Sequence, residues 1–230
     1  MNLNKSKEDY LKHIFLLLET QSEPIKTTTL SERLKVSPAA VTDQTQKLSA
    51  AGYIKYLKYK GVLLTNKGHK VGKNMVRRHR ILELFLHQIL SLSWDTVHAE
   101  AERLEHAVSD TLINQMEIKL GFPQFDPHGD PIPSIQGVIP CHNEGVLLSQ
   151  TRVGQMYEVA RVLSDGSDFL NYLDKVALSI GQKLEVSGHH EFDHSVVVII
   201  QKRPITLSQF TASQVVVSPV KILDKKRSNK

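Results

Sequence analysis

The sequence predicts a mainly helical chain that ends in a small β domain. Three observations carry this reading. From Lys7 to Leu120 apolar residues recur at helical spacing, interrupted by one β-hairpin pattern. Residues 121–144 hold five prolines and three glycines, the composition of a linker or extended segment. From Gly145 onward the chain changes to β-branched runs split by Gly and Asp.

A chain of 230 residues, 40% hydrophobic, can bury a sizeable core and divides into two or three units. No apolar run approaches the roughly 18 residues that mark a membrane helix, and MNLNKSKEDY lacks the apolar region of a signal peptide. Cys141 is the single cysteine, so no internal disulfide can form. The expectation is a soluble cytoplasmic protein with no membrane partner. The net charge of +5 is uneven. Residues 1–80 carry 16 Lys/Arg against 6 Asp/Glu, and residues 81–230 carry 13 against 18. A basic end joined to an acidic remainder fits either a polyanion-binding surface or a merely solvated one.

Along the first third, KEDYLKHIFLLLET (residues 7–20) sets Tyr10, Ile14, Leu17 and Leu18 at helical spacing. After SEP, the segment TTTLSERLKV offers Thr27, Thr28 and Thr29 as N-cap candidates for a second helix. In VSPAAVTDQTQKLSAAGYI, Ser37 can cap, Pro38 suits the first helical position, and Val41, Thr45 and Leu48 form a buried stripe that Gly52 ends. Two short helices and a tight turn match a helix-turn-helix. Small Ala39 and Ala40 let the second helix approach DNA closely, with Thr42, Gln44 and Lys47 on its polar side to reach base edges or phosphates. The hairpin YIKYLKYKGVLLTNKGHK follows, turning near Gly61, with Lys55, Lys58 and Lys60 along it, and reads as a wing on the phosphates. Pattern, wing and positive charge in one span predict binding to double-stranded DNA.

In the middle third, KNMVRRHRILELFLHQIL (73–90) is a strongly apolar helix carrying His79, Glu83 and His87 at i, i+4 and i+8. WDTVHAEAERLEHAVSDTLINQMEIKL (94–120) forms one or two more. On a helical wheel His98, Glu102, Glu105 and His106 fall within one arc of roughly 100°. Buried charges need partners. A divalent cation would neutralise the carboxylates and accept the imidazoles. The other reading is a solvated face, with Ala99, Leu104, Ala107 and Val108 turned inward instead.

In the last third, His128 and Cys141–His142 lie in the proline-rich segment. One cysteine without a second at ligand spacing makes loop residues the better reading. Beyond it, TRVGQMYEVARVL, LSIGQKLEVSGHH, HSVVVIIQKRPITLS and SQVVVSPV predict a small closed β-barrel, with SDFLNYLDKVAL its one inserted helix. His189, His190 and His194 read as solvated loop residues.

The succession SPAAVT, the wing, RRHRILELFL, HAEAERLEHAVSD and LGFPQFDPHGDPIPS resembles the diphtheria toxin repressor family of metal-dependent regulators, and within it the three-domain manganese-responsive branch. The resemblance runs from about Lys7 to about Val220. It implies a winged helix-turn-helix at 1–72 that places Thr27, Ser37, Pro38, Ala39, Ala40, Thr42, Gln44, Lys47, Lys58 and Lys60 at DNA. It further implies a helical dimerisation and metal-binding domain at 73–140 and a Src-homology-3-like barrel at 145–222. It also implies two metal sites. A primary site takes Asp9, Glu102, Glu105 and His106. An ancillary site takes His79, Glu83, His98 and a carboxylate from the last domain, Asp165 or, failing it, Asp168, both in an Asp- and Gly-rich turn. The iron-responsive branch carries Met at the position of Asp9 and Cys at that of Glu102. Oxygen donors at both favour Mn²⁺, with Fe²⁺ second. Lys12 stands where some two-domain manganese sensors carry a further glutamate, and a cation there favours two separated sites over a closely coupled binuclear one.

The resulting expectation is a homodimeric, Mn²⁺-activated transcriptional repressor on a palindromic operator, controlling metal uptake genes and taking no small organic substrate. An Fe²⁺-activated repressor of the same kind is the alternative. A metal-dependent hydrolase is the rival from another class, but it leaves no spare general base and no role for the N-terminal module.

Overall fold

The computed structural model describes residues 3–21, 23–141, 145–164 and 166–220. It divides into two compact units. Of these described residues, the first comprises those within 3–92, 97–126 and 131–140, the second those within 93–96, 127–130 and 141–220.

The first unit opens with α1 (Lys5–Thr20), capped by the Asn4 side chain accepting from the Lys7 N–H. Tyr10, Leu11, Ile14 and Phe15 form its buried face. Then come α2 (Thr27–Leu34) and α3 (Pro38–Ala50), joined through Lys35 in the left-handed conformation at φ 54°. The N-cap of α2 is Lys26, which makes no side-chain cap bond. Thr27, Thr28 and Thr29 are therefore first-turn residues rather than caps. For α3 the expected chemistry is present: Ser37 accepts from the Ala40 N–H, Pro38 opens the helix, and Val41, Thr45 and Leu48 are its buried residues. Strands β1 (Ile54–Leu57) and β2 (Gly61–Leu64) pair antiparallel as the wing. Ile25 adds a bridge to Val62 that crowds Gly61, where a Cβ would come within 2.3 Å of the Ile25 carbonyl oxygen.

The helix α4 (Asn66–Gln88) starts seven residues before residue 73, so NKGHK, read above as part of the hairpin, is its first turn and more. Thr65 caps it by accepting from the Gly68 N–H. Its early glycines are packing residues: a Cβ on Gly72 would sit 2.7 Å from the Phe15 Cβ and 2.9 Å from the Leu11 carbonyl oxygen. This close approach seats α1 along α4. Helix α4 also runs without interruption across the expected domain boundary at residue 72. Its first half joins a core with Tyr10, Leu11, Leu30, Val41, Leu48 and Val62. Its second half contributes Ile81, Leu82, Leu84 and Leu86 to another core with Val97 and Ala101 of α5 (Trp94–Leu104), Ile113 of α6 (Asp110–Lys119), and Ile132.

The second unit is a six-stranded antiparallel sheet, β3 (Val146–Leu147), β4 (Met156–Val162), β5 (Lys183–His189), β6 (Val196–Ile200), β7 (Arg203–Leu207) and β8 (Val215–Pro219), in the order β3-β8-β4-β5-β6-β7. The run HSVVVIIQKRPITLS is two strands. Gln201 and Lys202 turn between them at φ 51° and 66°, the backbone hand a tight two-residue hairpin requires. One expectation needs correction. Besides α7 (Ser167–Lys175) there is a second short helix, α8 (Gln209–Gln214), capped by Ser208. Among the described residues β3 and β7 stand at the two ends of the strand order, and the domain is of the Src-homology-3-like kind the sequence predicts. Its interior is apolar, including Tyr157, Val159, Leu184, Val186, Val198 and Val217.

Candidate metal centre

Three elements of the first unit bring the titratable residues together. Helix α1, held on α4 at Gly72, presents Glu8, Asp9 and Lys12. The buried side of α4 presents His79 and Glu83 one turn apart. Helix α5 presents His98 and ends at Leu104, so Glu105 and His106 lie in the turn just beyond it. The Glu105 N–H still bonds the Ala101 carbonyl at 2.9 Å, which keeps that side chain near helical register.

Two groups have ligand atoms within 4.8 Å of one another. Asp9, Glu105 and His106 form one, and His79, Glu83 and His98 the other. In the first, His106 Nε2 lies 2.8 Å from Asp9 Oδ1 and 3.3 Å from Glu105 Oε1. Yet this nitrogen is buried and makes no hydrogen bond of acceptable geometry. Donor atoms that converge without bonding one another suit a divalent ion with oxygen and imidazole preference. In the second, Glu83 Oε1 lies 2.8 Å from His98 Nδ1 and 3.1 Å from His79 Nε2. His98 is half-exposed, so this group opens toward solvent.

Glu105 joins the two groups. Its Oε2 is 2.6 Å from His79 Nδ1, and the Lys12 ammonium donates to both of its oxygens at 2.9 and 2.8 Å. Lys12 and Glu105 are 4% and 1% exposed, so this ion pair is buried. Burial alone would raise the Glu105 carboxyl, but hydrogen bonds from His79 and Lys12 hold it below the usual carboxylate range. Burial opposes the charging of His79, and the Glu83 and Glu105 carboxylates outweigh it, raising this imidazole to about 9. His13, on the same helix as Lys12, goes the other way: burial together with the Lys12 and Arg33 cations lowers it to about 4.

The remaining expected residues fall elsewhere. Glu102 does not join Asp9, Glu105 and His106; its side chain is 52% exposed and its Oε1 lies 3.6 Å from His98 Nε2. Glu102 shares α5 with His98, and its place on that helix turns its side chain to solvent. Asp165 and His142 lie outside the described residues, and Asp168, in the first turn of α7, belongs to the second unit. His87 Nδ1 meets the Leu92 carbonyl oxygen at 3.2 Å, a contact at the end of α4. Cys141 is a free, exposed thiol. Three residues at the centre were not singled out as site residues: Glu8, whose carboxylate meets His106 Nδ1 at 2.7 Å, Lys12 as the partner of Glu105, and His13.

On α3, Ser37, Pro38, Ala39, Ala40, Thr42 and Lys47 are exposed. Thr42 Oγ1 bonds the Pro38 carbonyl at 2.9 Å, and Lys47 pairs with Asp43 across one exposed turn at 2.6 Å. Gln44 is half-buried, with its Nε2 buried and unbonded. Thr27 is half-buried at the start of α2. Lys58, Tyr59 and Lys60 are exposed at the wing tip, and the Lys58 ammonium lies 5.1 Å from the Tyr59 ring centroid. Tyr59, 91% exposed at φ 65°, was not anticipated from the sequence.

Comparison with known proteins gives three consecutive matches. Residues 2–62 match the iron dependent repressor N-terminal DNA binding domain. Residues 65–134 match the iron dependent repressor metal binding and dimerisation domain. Residues 146–219 match the FeoA domain. The chain is 34% identical to the helix-turn-helix-type transcriptional regulator MntR of Bacillus subtilis over 140 residues, 60% of this chain and 97% of the relative. It is 39% identical over 116 residues to an uncharacterised helix-turn-helix-type transcriptional regulator of Methanocaldococcus jannaschii, 50% of this chain and 93% of the relative. Among solved structures, a manganese-dependent transcriptional repressor in complex with manganese shares 36% identity at a TM-score of 0.79, covering 93% of this chain and 100% of its own. No described helix is long and apolar enough to cross a membrane.

Proposed function

Because the chain belongs to the iron-dependent repressor family, we propose that it is a manganese-responsive, dimeric DNA-binding transcriptional repressor, with Fe²⁺ the second choice of activator. The observation that carries this reading is the buried, unbonded Nε2 of His106 between two carboxylates, on a domain joined by one continuous helix to a winged helix-turn-helix. Asp9, Glu105 and His106 hold one ion, with Glu102 turning in as a further oxygen donor, and His79, Glu83 and His98 hold another. Bound there, a divalent cation supplies the positive charge that lets carboxylates and neutral imidazoles share a buried place.

The chain's own residues do the rest. Asp9 sits on α1, which packs with α2 and α3, whereas Glu105 and His106 sit on the dimerisation side. Ligation by both fixes the DNA-binding helices relative to the rest of the unit, and through the dimer it fixes their separation at about one turn of DNA, roughly 34 Å. Exposed Leu112, Ile118 and Phe122 on and after α6 supply apolar surface for the dimer. The operator is a palindrome matching that two-fold symmetry, the genes under control serve metal uptake, and the protein works in the cytoplasm. Ser37, Ala39, Ala40, Thr42, Gln44 and Lys47 face DNA from α3, Thr27 from α2, and Lys58 and Lys60 from the wing.

The test is fluorescence anisotropy on one operator across Mn²⁺, Fe²⁺, Zn²⁺ and chelator, under anaerobic conditions. Specific binding that appears with Mn²⁺ at least as readily as with Fe²⁺ supports the reading. Undiminished specific binding in chelator overturns it.

A further inference from the structure

The donor set used above leaves one group beside His106 without a role. Glu8 Oε2 lies 2.7 Å from His106 Nδ1, while Nε2 of the same ring faces Asp9 and Glu105. The His106 side chain is 10% exposed and that of Glu8 24%, so the contact is largely shielded from water. It spans 98 residues of sequence and ties the first turns of α1 to the turn after α5. Asn4 fixes the start of α1, which places Glu8 and its neighbour Asp9 against opposite nitrogens of one imidazole.

We propose that Glu8 is a positioning residue that selects the His106 tautomer. A neutral imidazole carries one N–H and one lone pair, and the hydrogen bond at one nitrogen decides which nitrogen is left to coordinate. Glu8 accepts the Nδ1–H, so the lone pair is left on Nε2, the atom that faces Asp9 and Glu105. Without Glu8 the ring divides between its two tautomers and between ring orientations, and only part of the population offers Nε2. Because Glu8 and Asp9 are adjacent on α1, the same contact also holds α1 close to His106 before an ion arrives. The proposal rests on the reading of Asp9, Glu105 and His106 as a metal site.

The experiment compares Glu8→Ala and Glu8→Gln with wild type. Alanine removes the acceptor from a helix surface where it is well tolerated, and glutamine keeps an acceptor oxygen without the charge. Circular dichroism melting in chelator verifies that both variants fold. The first readout is nitrogen-15 NMR of His106 in the metal-free protein at alkaline pH. The ring is expected as the Nδ1–H tautomer in wild type, mostly so in Glu8→Gln, and mixed in Glu8→Ala. The second is Mn²⁺ affinity from electron paramagnetic resonance titration, expected to fall at least tenfold in Glu8→Ala and less in Glu8→Gln. An unchanged tautomer in Glu8→Ala overturns the proposal even if affinity falls, since Glu8 would then act on the ion directly. An unchanged affinity also overturns it. Failure of wild type to bind Mn²⁺ at all overturns the metal-site reading instead, and the NMR arm still judges Glu8.

Discussion

Replacing Lys12 by methionine should destabilise the metal-free protein and make it depend more strongly on Mn²⁺. The Lys12 ammonium meets both oxygens of Glu105 at 2.9 and 2.8 Å, and both residues are buried. At this separation and an effective dielectric near 20, the Coulomb attraction is about 6 kcal/mol. Methionine fills similar volume and removes the cost of burying the ammonium, but leaves the Glu105 carboxylate with His79 as its partner at 2.6 Å. Removing one member of a buried pair costs about 3–5 kcal/mol. His79 remains to compensate in part, so a loss near the lower end, about 3 kcal/mol, is expected. Bound divalent charge replaces the missing cation, so most of the loss should be recovered in Mn²⁺. Urea unfolding with and without chelator measures both quantities, with hydrogen exchange used to follow the first unit separately, since a two-unit chain need not unfold in one step. If Lys12→Met is as stable as wild type in chelator, or loses the same stability in Mn²⁺ as without it, the assignment of Lys12 as the intrinsic counter-charge of Glu105 is wrong.

Three further outcomes can be checked. Metal binding should strengthen with pH, because His79, raised to about 9 by Glu83 and Glu105, must give up its proton to ligate. The sign follows: the protonated form stabilises the metal-free fold below the ordinary histidine value near 6.5, and this contribution fades as pH rises toward 9. The apparent affinity at the His79–Glu83–His98 group should therefore rise about tenfold per pH unit across that window, as calorimetric titration in buffers of several pH values would reveal; a flat profile removes His79 from the ligands. At the DNA, changing Thr42 or Gln44 should shift sequence preference by about 1–3 kcal/mol where a base contact is lost. Changing Lys58 or Lys60 should instead weaken all sequences alike and lower the salt slope, and an unaltered slope would take the wing off the phosphates. Finally, the double change Asp9→Met with Glu102→Cys should tip half-maximal activation toward Fe²⁺ or Co²⁺. An unchanged metal ranking would leave these two positions without influence on selectivity.

The sequence was most informative where a local rule governs the residue. Ser37 and Pro38 announce the start of α3 because capping needs only neighbours. His79 and Glu83 are paired by helical spacing alone. A hairpin pattern drawn through NKGHK hides the start of α4, where Gly68 and Gly72 admit the backbone of Tyr53 and the side chain of Phe15; the Thr65 hydroxyl cap is the local signal of that start. Helix α8 has six residues, too few for periodicity to register beside a β-branched run. The partners of the site were the least accessible. Lys12 reaches Glu105 across 93 residues and Glu8 reaches His106 across 98, and no spacing rule spans such distances. Lysine and glutamate near the start of an amphipathic helix look like its solvated side until α4 and α5 close over them.

If metal and operator are coupled through this one protein, a thermodynamic cycle measures that coupling. Operator affinity is determined with and without Mn²⁺, and Mn²⁺ affinity with and without operator, all at one salt concentration. Linkage requires the two ratios to be equal, and ligation across α1 and the dimerisation side should make them large, roughly 100-fold or about 3 kcal/mol. Equal ratios of that size, with the dimer intact in chelator, are the expected result. Ratios near one, with Mn²⁺ bound and operator bound independently, would mean that the buried cluster has no control over the DNA-binding helices.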